Sequence, residues 1–219
     1  MSRGSPAWTR ARWLAAAMAA LLYAVGSHLL MTRMGDSAWS LAVVLGPLAA
    51  LAVAGLWRAG RRTGAALGAA AALLLAAGAA RGGGVPARWL YLAQHAGVHL
   101  ALAASFGATL RPGAQPLISR LAERVHGALS PAMAAYTRRS TQAWVLYFLA
   151  MAAASLTLFA AGDFAHWSLL ANVLTPVFTV AMFVGEYLLR YRLHPEFERV
   201  TLRMCLDAYR AAPGRGKAA

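Results

Sequence analysis

The chain has 219 residues, 60% of them hydrophobic and only 13% charged, whereas an ordinary soluble domain carries about 25% charged residues. That composition excludes a conventional soluble enzyme domain and fits one membrane domain, with no room for a second globular unit. The net charge of +14 raises nucleic acid as a partner, but the basic residues lie between apolar stretches, so anionic lipid headgroups are the expected counter-charge and nucleic acid is set aside.

Six apolar stretches of spanning length follow one another, so the expected fold class is all-α, a polytopic membrane protein with six transmembrane helices. Span 1 is expected from about Trp13 to Met31. The basic segment before it resembles a signal peptide in form, but its length and the five later spans favour an uncleaved helix. Span 2 runs from about Trp39 to Trp57, with a tryptophan at each end as interface anchors. Its Gly46-Pro47 step predicts a kink. Span 3, about Thr63 to Ala80, is nearly all Ala, Leu and Gly, and its Gly64-x-x-x-Gly68 spacing predicts close helix approach. Gly82-Gly83-Gly84 reads as a turn, because the Gly-Lys-Ser/Thr of a phosphate loop does not follow it.

Span 4 is expected from about Trp89 to Leu110, span 5 from about Gln142 to Ala161, and span 6 from about Trp167 to Leu189 with a bend at Thr175-Pro176. Before span 5, Pro116 to Leu129 places Leu117, Leu121, Val125 and Leu129 four apart, with Arg120, Glu123 and Arg124 on the other side. This pattern predicts an amphipathic helix lying in the membrane interface. Ser130-Pro131 then reads as an N-cap with proline at the first helical position. The helix it opens is expected to continue through Tyr136 and Arg138 into span 5. After the membrane domain (1–195), the tail (196–219) carries Phe197, Val200, Met204 and Ala208 at helical spacing, which predicts a short docked helix. The single cysteine, Cys205, lies there and excludes an internal disulfide or a cysteine metal cluster.

Eighteen of the 21 basic residues fall before span 1, between spans 2 and 3, between spans 4 and 5, or after span 6. The positive-inside rule makes that side cytoplasmic, with both termini inside. Arginine outnumbers lysine twenty to one, which fits a GC-rich bacterial genome and hence a bacterial inner membrane.

Ionisable and amide groups at membrane depth are expensive, so each is a functional candidate. These are His28, Gln94, His95, His99, Asn172 and Glu186. His95 and His99 share one helix face. Several readings compete: histidines that bond neighbouring helices, a substrate pocket or proton path, or haem held between His28 and His95 or His99. Gln94-His95-Ala96-Gly97-Val98-His99 lacks the glutamate of a zinc-protease helix, so no metal is expected, and no cofactor. Glu186 has Arg190 one turn on as its simplest partner. Asp163 and His166 read as a solvated turn.

Four phrases in the C-terminal half occur in a recognisable order: Pro116-Leu117-Ile118-Ser119-Arg120, Tyr136-Thr137-Arg138-Arg139 leading to Ala143-Trp144, Trp167-Ser168-Leu169-Leu170-Ala171-Asn172, and Gly185-Glu186-Tyr187-Leu188-Leu189-Arg190. Over about Leu92 to Pro195 the chain resembles a family of small bacterial inner-membrane proteins encoded with aryl polyene and xanthomonadin-type pigment genes. Members often carry the label "ketosynthase", which the lone tail cysteine does not support. Thr175-Pro176 stands where that family tends to have Asn-Tyr. The resemblance implies an accessory role in making or exporting a polyene-type lipid, with no catalytic residue to carry over. It also groups Arg120, Tyr136, Arg138, Arg139 and Arg190 as a basic inner mouth for an anionic headgroup or an acyl carrier protein. Membrane lipids and cytoplasmic biosynthetic enzymes are the other expected partners. A membrane-embedded acyl or glycosyl lipid transferase, or a small transporter, is the competing reading.

Overall fold

The computed structural model describes residues 6–34, 38–81, 86–195 and 197. Every regular element among them is helical. In chain order these are α1 (Pro6–Met34), α2 (Ala38–Arg58), α3 (Arg62–Ala80), α4 (Ala87–Ala108), α5 (Leu117–His126), α6 (Pro131–Ala160), α7 (Phe164–Leu169), a π-helical turn (Leu170–Leu174) and α8 (Thr175–Leu193). Among the described residues, four helices are long and apolar enough to cross a membrane: Leu14–Arg33, Trp39–Arg58, Pro131–Ala160 and Phe164–Leu193. Those helices, together with α3, present Leu14, Leu51, Leu73, Leu74, Val180 and Phe183 outward, each more than half exposed. A water-soluble surface does not carry apolar side chains on that scale; a lipid-facing one does. The apolar part of α3 is shorter, Arg62–Gly78. Helix α4 has the length but is not among those four, and it carries Arg88, Gln94, His95 and His99.

Local chemistry explains the helix ends. Ser130 Oγ accepts the backbone N–H of Met133 at 3.2 Å, and Pro131 opens α6, which then runs unbroken past Tyr136 and Arg138 to Ala160. Asp163 caps α7 by accepting the N–H of His166 at 3.1 Å. That backbone bond, followed by a second bond from the His166 ring, holds the Asp163 carboxylate below its usual range. At Thr175-Pro176, where a bend was expected, a π turn lies directly before that step. Pro176 has no N–H to donate, and the N–H of Thr175 reaches back to the Leu170 carbonyl, one residue further than in an α-helix. Helix α2 continues through Pro47.

The chain divides into two compact units, Met1–Gly97 with Ala154–Val177, and Val98–Ala153 with Phe178–Ala219. In the first, Met31, Leu41, Val44, Tyr91, Leu92 and Trp167 form a core. Trp167, the residue that begins the expected span 6, is fully buried there. Its indole donates to Ser155 Oγ at 2.9 Å, and its ring stacks on Phe164. Helices α2 and α3 meet where expected: a methyl group added at Gly68 would sit 3.6 Å from Val53, and one at Gly64 would sit 3.8 Å from Leu56. Tyr23 of α1 donates to the Val44 carbonyl of α2 at 3.0 Å.

In the second unit, Ala103, Trp144 and Phe148 form the core, with Phe106, Ile118 and Met182 against it. Helix α5 is the predicted amphipathic helix, and it is docked through hydroxyl groups as well as apolar ones. The N–H groups of Leu117 and Ile118, orphaned at a helix start, donate to Thr109 Oγ1 at 3.0 Å and Thr141 Oγ1 at 3.3 Å. Buried Ser119 bonds Thr137 at 2.7 Å. Leu121 is left half exposed beside exposed Arg120 and Arg124, which suits an interfacial position. The expected tail helix, Cys205 and the Gly82-Gly83-Gly84 turn lie outside the described residues. Phe197 alone of the tail positions is described, and it is buried.

Candidate functional site

The polar residues at helix depth fall into three groups, two in the first unit and one in the second. The first surrounds the π turn. His28 Nδ1 lies 3.0 Å from Ser168 Oγ. Asn172, one turn beyond Ser168, donates to the Ser168 carbonyl at 2.9 Å and toward the Met31 sulfur at 3.1 Å. His95 Nε2 lies 3.0 Å from Thr175 Oγ1, and Thr175 Oγ1 also donates to the Leu170 carbonyl at 2.8 Å. The His95 ring meets the edge of Trp167. Two histidines from α1 and α4 thus clasp hydroxyl groups seven residues apart, one on each side of the π turn. Ser27, buried on α1 next to His28, has no hydrogen-bond partner for its Oγ among the described residues.

A serine hydroxyl beside an imidazole is the start of a nucleophilic dyad. Here Ser168 has no exposed surface, and among the described residues no carboxylate bonds His28 to orient it. The pair therefore holds helices together. Among the described residues no three His, Cys, Asp or Glu side chains gather to hold a metal ion.

The second group is a groove of about 410 Å³ between α2, α3 and α4. Leu45, Leu48 and Ala52 line one wall, Ala72 and Leu75 the other, and Gln94 of α4 is the only polar side chain on it. The groove exists because Gly and Ala on α3 bring the two backbones close without filling the space between them. Gln94 Oε1 is buried and has no hydrogen-bond partner among the described residues.

The third group belongs to the second unit. Arg190 bonds Glu186 through both Nε, at 3.2 Å, and Nη2. Ser140 of α6 donates to the same carboxylate oxygen at 3.4 Å. Tyr136 donates to the Glu186 backbone carbonyl at 3.1 Å, and the Arg190 guanidinium lies over the Tyr136 ring at 5.8 Å. His194 stacks on Phe197, and both meet the edge of Tyr136. His99 is buried against Phe148.

The expected basic mouth therefore has two parts. Tyr136 and Arg190 come together around Glu186. Arg138 instead donates to the Leu110 carbonyl at 2.9 Å, beside a second groove lined by Gln115, Glu123 and Ala134. Arg120 and Arg139 are exposed. The hydroxyl partners Ser140, Ser155, Ser168 and Thr175 were not singled out from sequence. The one signal for them was spacing: Ser168 and Thr175 are two helical turns apart and share a face. Comparison with protein-family models, with curated proteins and with solved structures found no match to this chain.

Proposed function

We propose that this chain is a non-enzymatic protein of a bacterial inner membrane, with six membrane-crossing helices and both termini in the cytoplasm, that handles an apolar lipid during its synthesis or export. The distribution of arginines supports the orientation, and the resemblance of Leu92 to Pro195 supports a polyene-type lipid as the cargo. The observation that carries the lipid-handling reading is the α2–α3–α4 groove. Its volume falls in the range of small-molecule sites, its walls are aliphatic, and no charged residue lines it.

The transferase alternative needs an available base and an approachable nucleophile. The Glu186 carboxylate is held by Arg190 and Ser140, and Ser168 is closed off from solvent. Both features favour structural roles for these groups. The basic segment with Arg120, Arg138 and Arg139 supports recruitment of an acidic partner, such as an acyl carrier protein or an enzyme of the same pathway, to the cytoplasmic face.

The test is an absorption spectrum with mass spectrometry of extracted lipid, on protein purified from its host in mild detergent. A polyene band with a matching lipid mass is the expected result. A colourless preparation holding only bulk phospholipid overturns lipid handling and leaves recruitment of partners.

A further inference from the structure

Helix α5 and the start of α6 form a hairpin whose arms meet at Ser119 and Thr137, with their hydroxyl oxygens 2.7 Å apart. Glu123 stands one turn beyond Ser119 on α5, and Arg138 follows Thr137 on α6. Beside that contact lies a concavity of about 560 Å³. Ser119, Gln115, Glu123 and Arg138 are its polar groups, and Leu129 and Ala134 are among its apolar ones. The two charged side chains have opposite signs, yet no ion pair joins them: the ion pairs of the described residues are His166–Asp163 and Arg190–Glu186. Each is held instead by a neutral neighbour. Gln115 Nε2 donates to Glu123 Oε2 at 2.8 Å, and Arg138 Nη2 donates to the Leu110 carbonyl at 2.9 Å. The second Glu123 oxygen and the other Arg138 N–H groups are left without a bond among the described residues.

Depth decides which molecules reach this concavity. Arg138 is four residues before Gln142, where span 5 is expected to enter the hydrocarbon core, so about 6 Å of helical rise separates the two. The headgroup region adds about 5–7 Å on each side of that core. Half-exposed Leu121 beside exposed Arg120 and Arg124 suits the same layer for α5. One cation and one anion at that level are complementary to a headgroup that carries one of each. We infer that the α5–α6 concavity binds the headgroup of a zwitterionic phospholipid with a primary ammonium, Arg138 meeting the phosphate and Glu123 the ammonium. Both contacts are charge-assisted hydrogen bonds. The selectivity is opposite to what the net charge of +14 would give, since clustered arginines by themselves attract anionic lipids. Glu123 repels a purely anionic headgroup and holds one that brings its own ammonium. The inference rests on the placement of span 5 in the membrane and is independent of what the α2–α3–α4 groove carries.

The experiment titrates delipidated full-length protein, in a non-ionic detergent, with phosphatidylethanolamine or phosphatidylglycerol of the same acyl chains. Native mass spectrometry reads the affinity of the first bound lipid. Three proteins are compared: wild type, Glu123→Gln, and Ala134→Trp, which fills the concavity. Glu123→Gln removes the negative charge and keeps an oxygen for Gln115. Both positions are exposed, so both variants should fold with the wild-type unfolding midpoint. Phosphatidylethanolamine should bind wild type about tenfold more tightly than it binds Glu123→Gln, the order expected for one charge-assisted hydrogen bond. Phosphatidylglycerol should bind that variant at least as well as it binds wild type. In Ala134→Trp the tight phosphatidylethanolamine should be lost, while phosphatidylglycerol held by other arginines remains. Phosphatidylethanolamine binding unchanged in both variants overturns the site. Loss in Ala134→Trp alone overturns the role of Glu123 and with it the selection of an ammonium. An equal loss of both lipids in Glu123→Gln gives that carboxylate a structural role and overturns the inference.

Discussion

Gln94 and His95 are consecutive residues of α4 with opposite surroundings. The His95 ring reaches Thr175 and the edge of Trp167. Gln94 lines an apolar groove, and its Oε1 is buried and bonds nothing among the described residues. Adjacent helix positions point about 100° apart, so one face of α4 packs against its neighbours and the next borders the groove. Polar groups on these apolar helices thus fall into two classes. Where a hydroxyl on a neighbouring segment answers a polar group, the group holds helices together. Where none does, as at Gln94 Oε1 and Ser27 Oγ, the group is left buried without a bond among the described residues.

The largest effect expected from breaking the packed side is at Trp167. Trp167→Ala removes a fully buried ring and its bond to Ser155, and should cost about 3–5 kcal/mol of stability, read as a lower unfolding midpoint in detergent. Glu186→Gln should cost less, about 1–3 kcal/mol. It leaves the partly buried Arg190 guanidinium without its ion-pair partner, and partial exposure moderates the loss. If the lipid-handling reading holds, that variant still retains lipid whenever it is folded; loss of product in a stably accumulated Glu186→Gln protein would revive the transferase alternative.

Thr175→Val keeps the shape of the side chain and removes the hydroxyl that His95 meets. Hydrogen bonds between membrane helices average about 0.6 kcal/mol and reach roughly 1.7, so a loss of that size is expected, visible as a small shift in detergent-induced unfolding. The smallest effect belongs to the groove side. Gln94→Leu should leave stability unchanged or slightly raised, because its Oε1 makes no bond among the described residues. A Thr175→Val protein with wild-type stability, or a clearly destabilised Gln94→Leu protein, would erase the distinction between the two faces.

The helical class and four of the six expected spans were legible beforehand, because apolar length and helix-end chemistry are local properties. The amphipathic helix expected over Pro116 to Leu129 appears as Leu117–His126. The Ser130-Pro131 start opens α6, and Gly64 and Gly68 face α2. Glu186 took the partner expected one turn on. The polar candidates were legible as a set and not as an arrangement. His28, Gln94, His95 and Asn172 stand out in an apolar chain, but the residues that answer them are ordinary serines and threonines on distant helices. Spacing along the sequence cannot report such pairings. For the same reason the basic mouth separated into a Tyr136–Glu186–Arg190 cluster and an Arg138 contact with Leu110: residues 136 and 138 are two apart on a helix and cannot share a face.

By itself, then, the sequence determined the helical class, the places where helices start, and which side chains are too polar for their depth. These follow from hydropathy, from the missing N–H of proline and from hydroxyl caps, all of which act within a few residues. Only the tertiary structure decided which of those polar groups are satisfied. It set Ser168 and Thr175 on either side of a π turn to meet His28 and His95. Helices α2 and α3, drawn together by their small residues, left beside Gln94 an apolar space that nothing in the described chain fills. The physical reason is that satisfying a buried polar group depends on what lies across the helix interface, and folding, not local sequence, determines the neighbour.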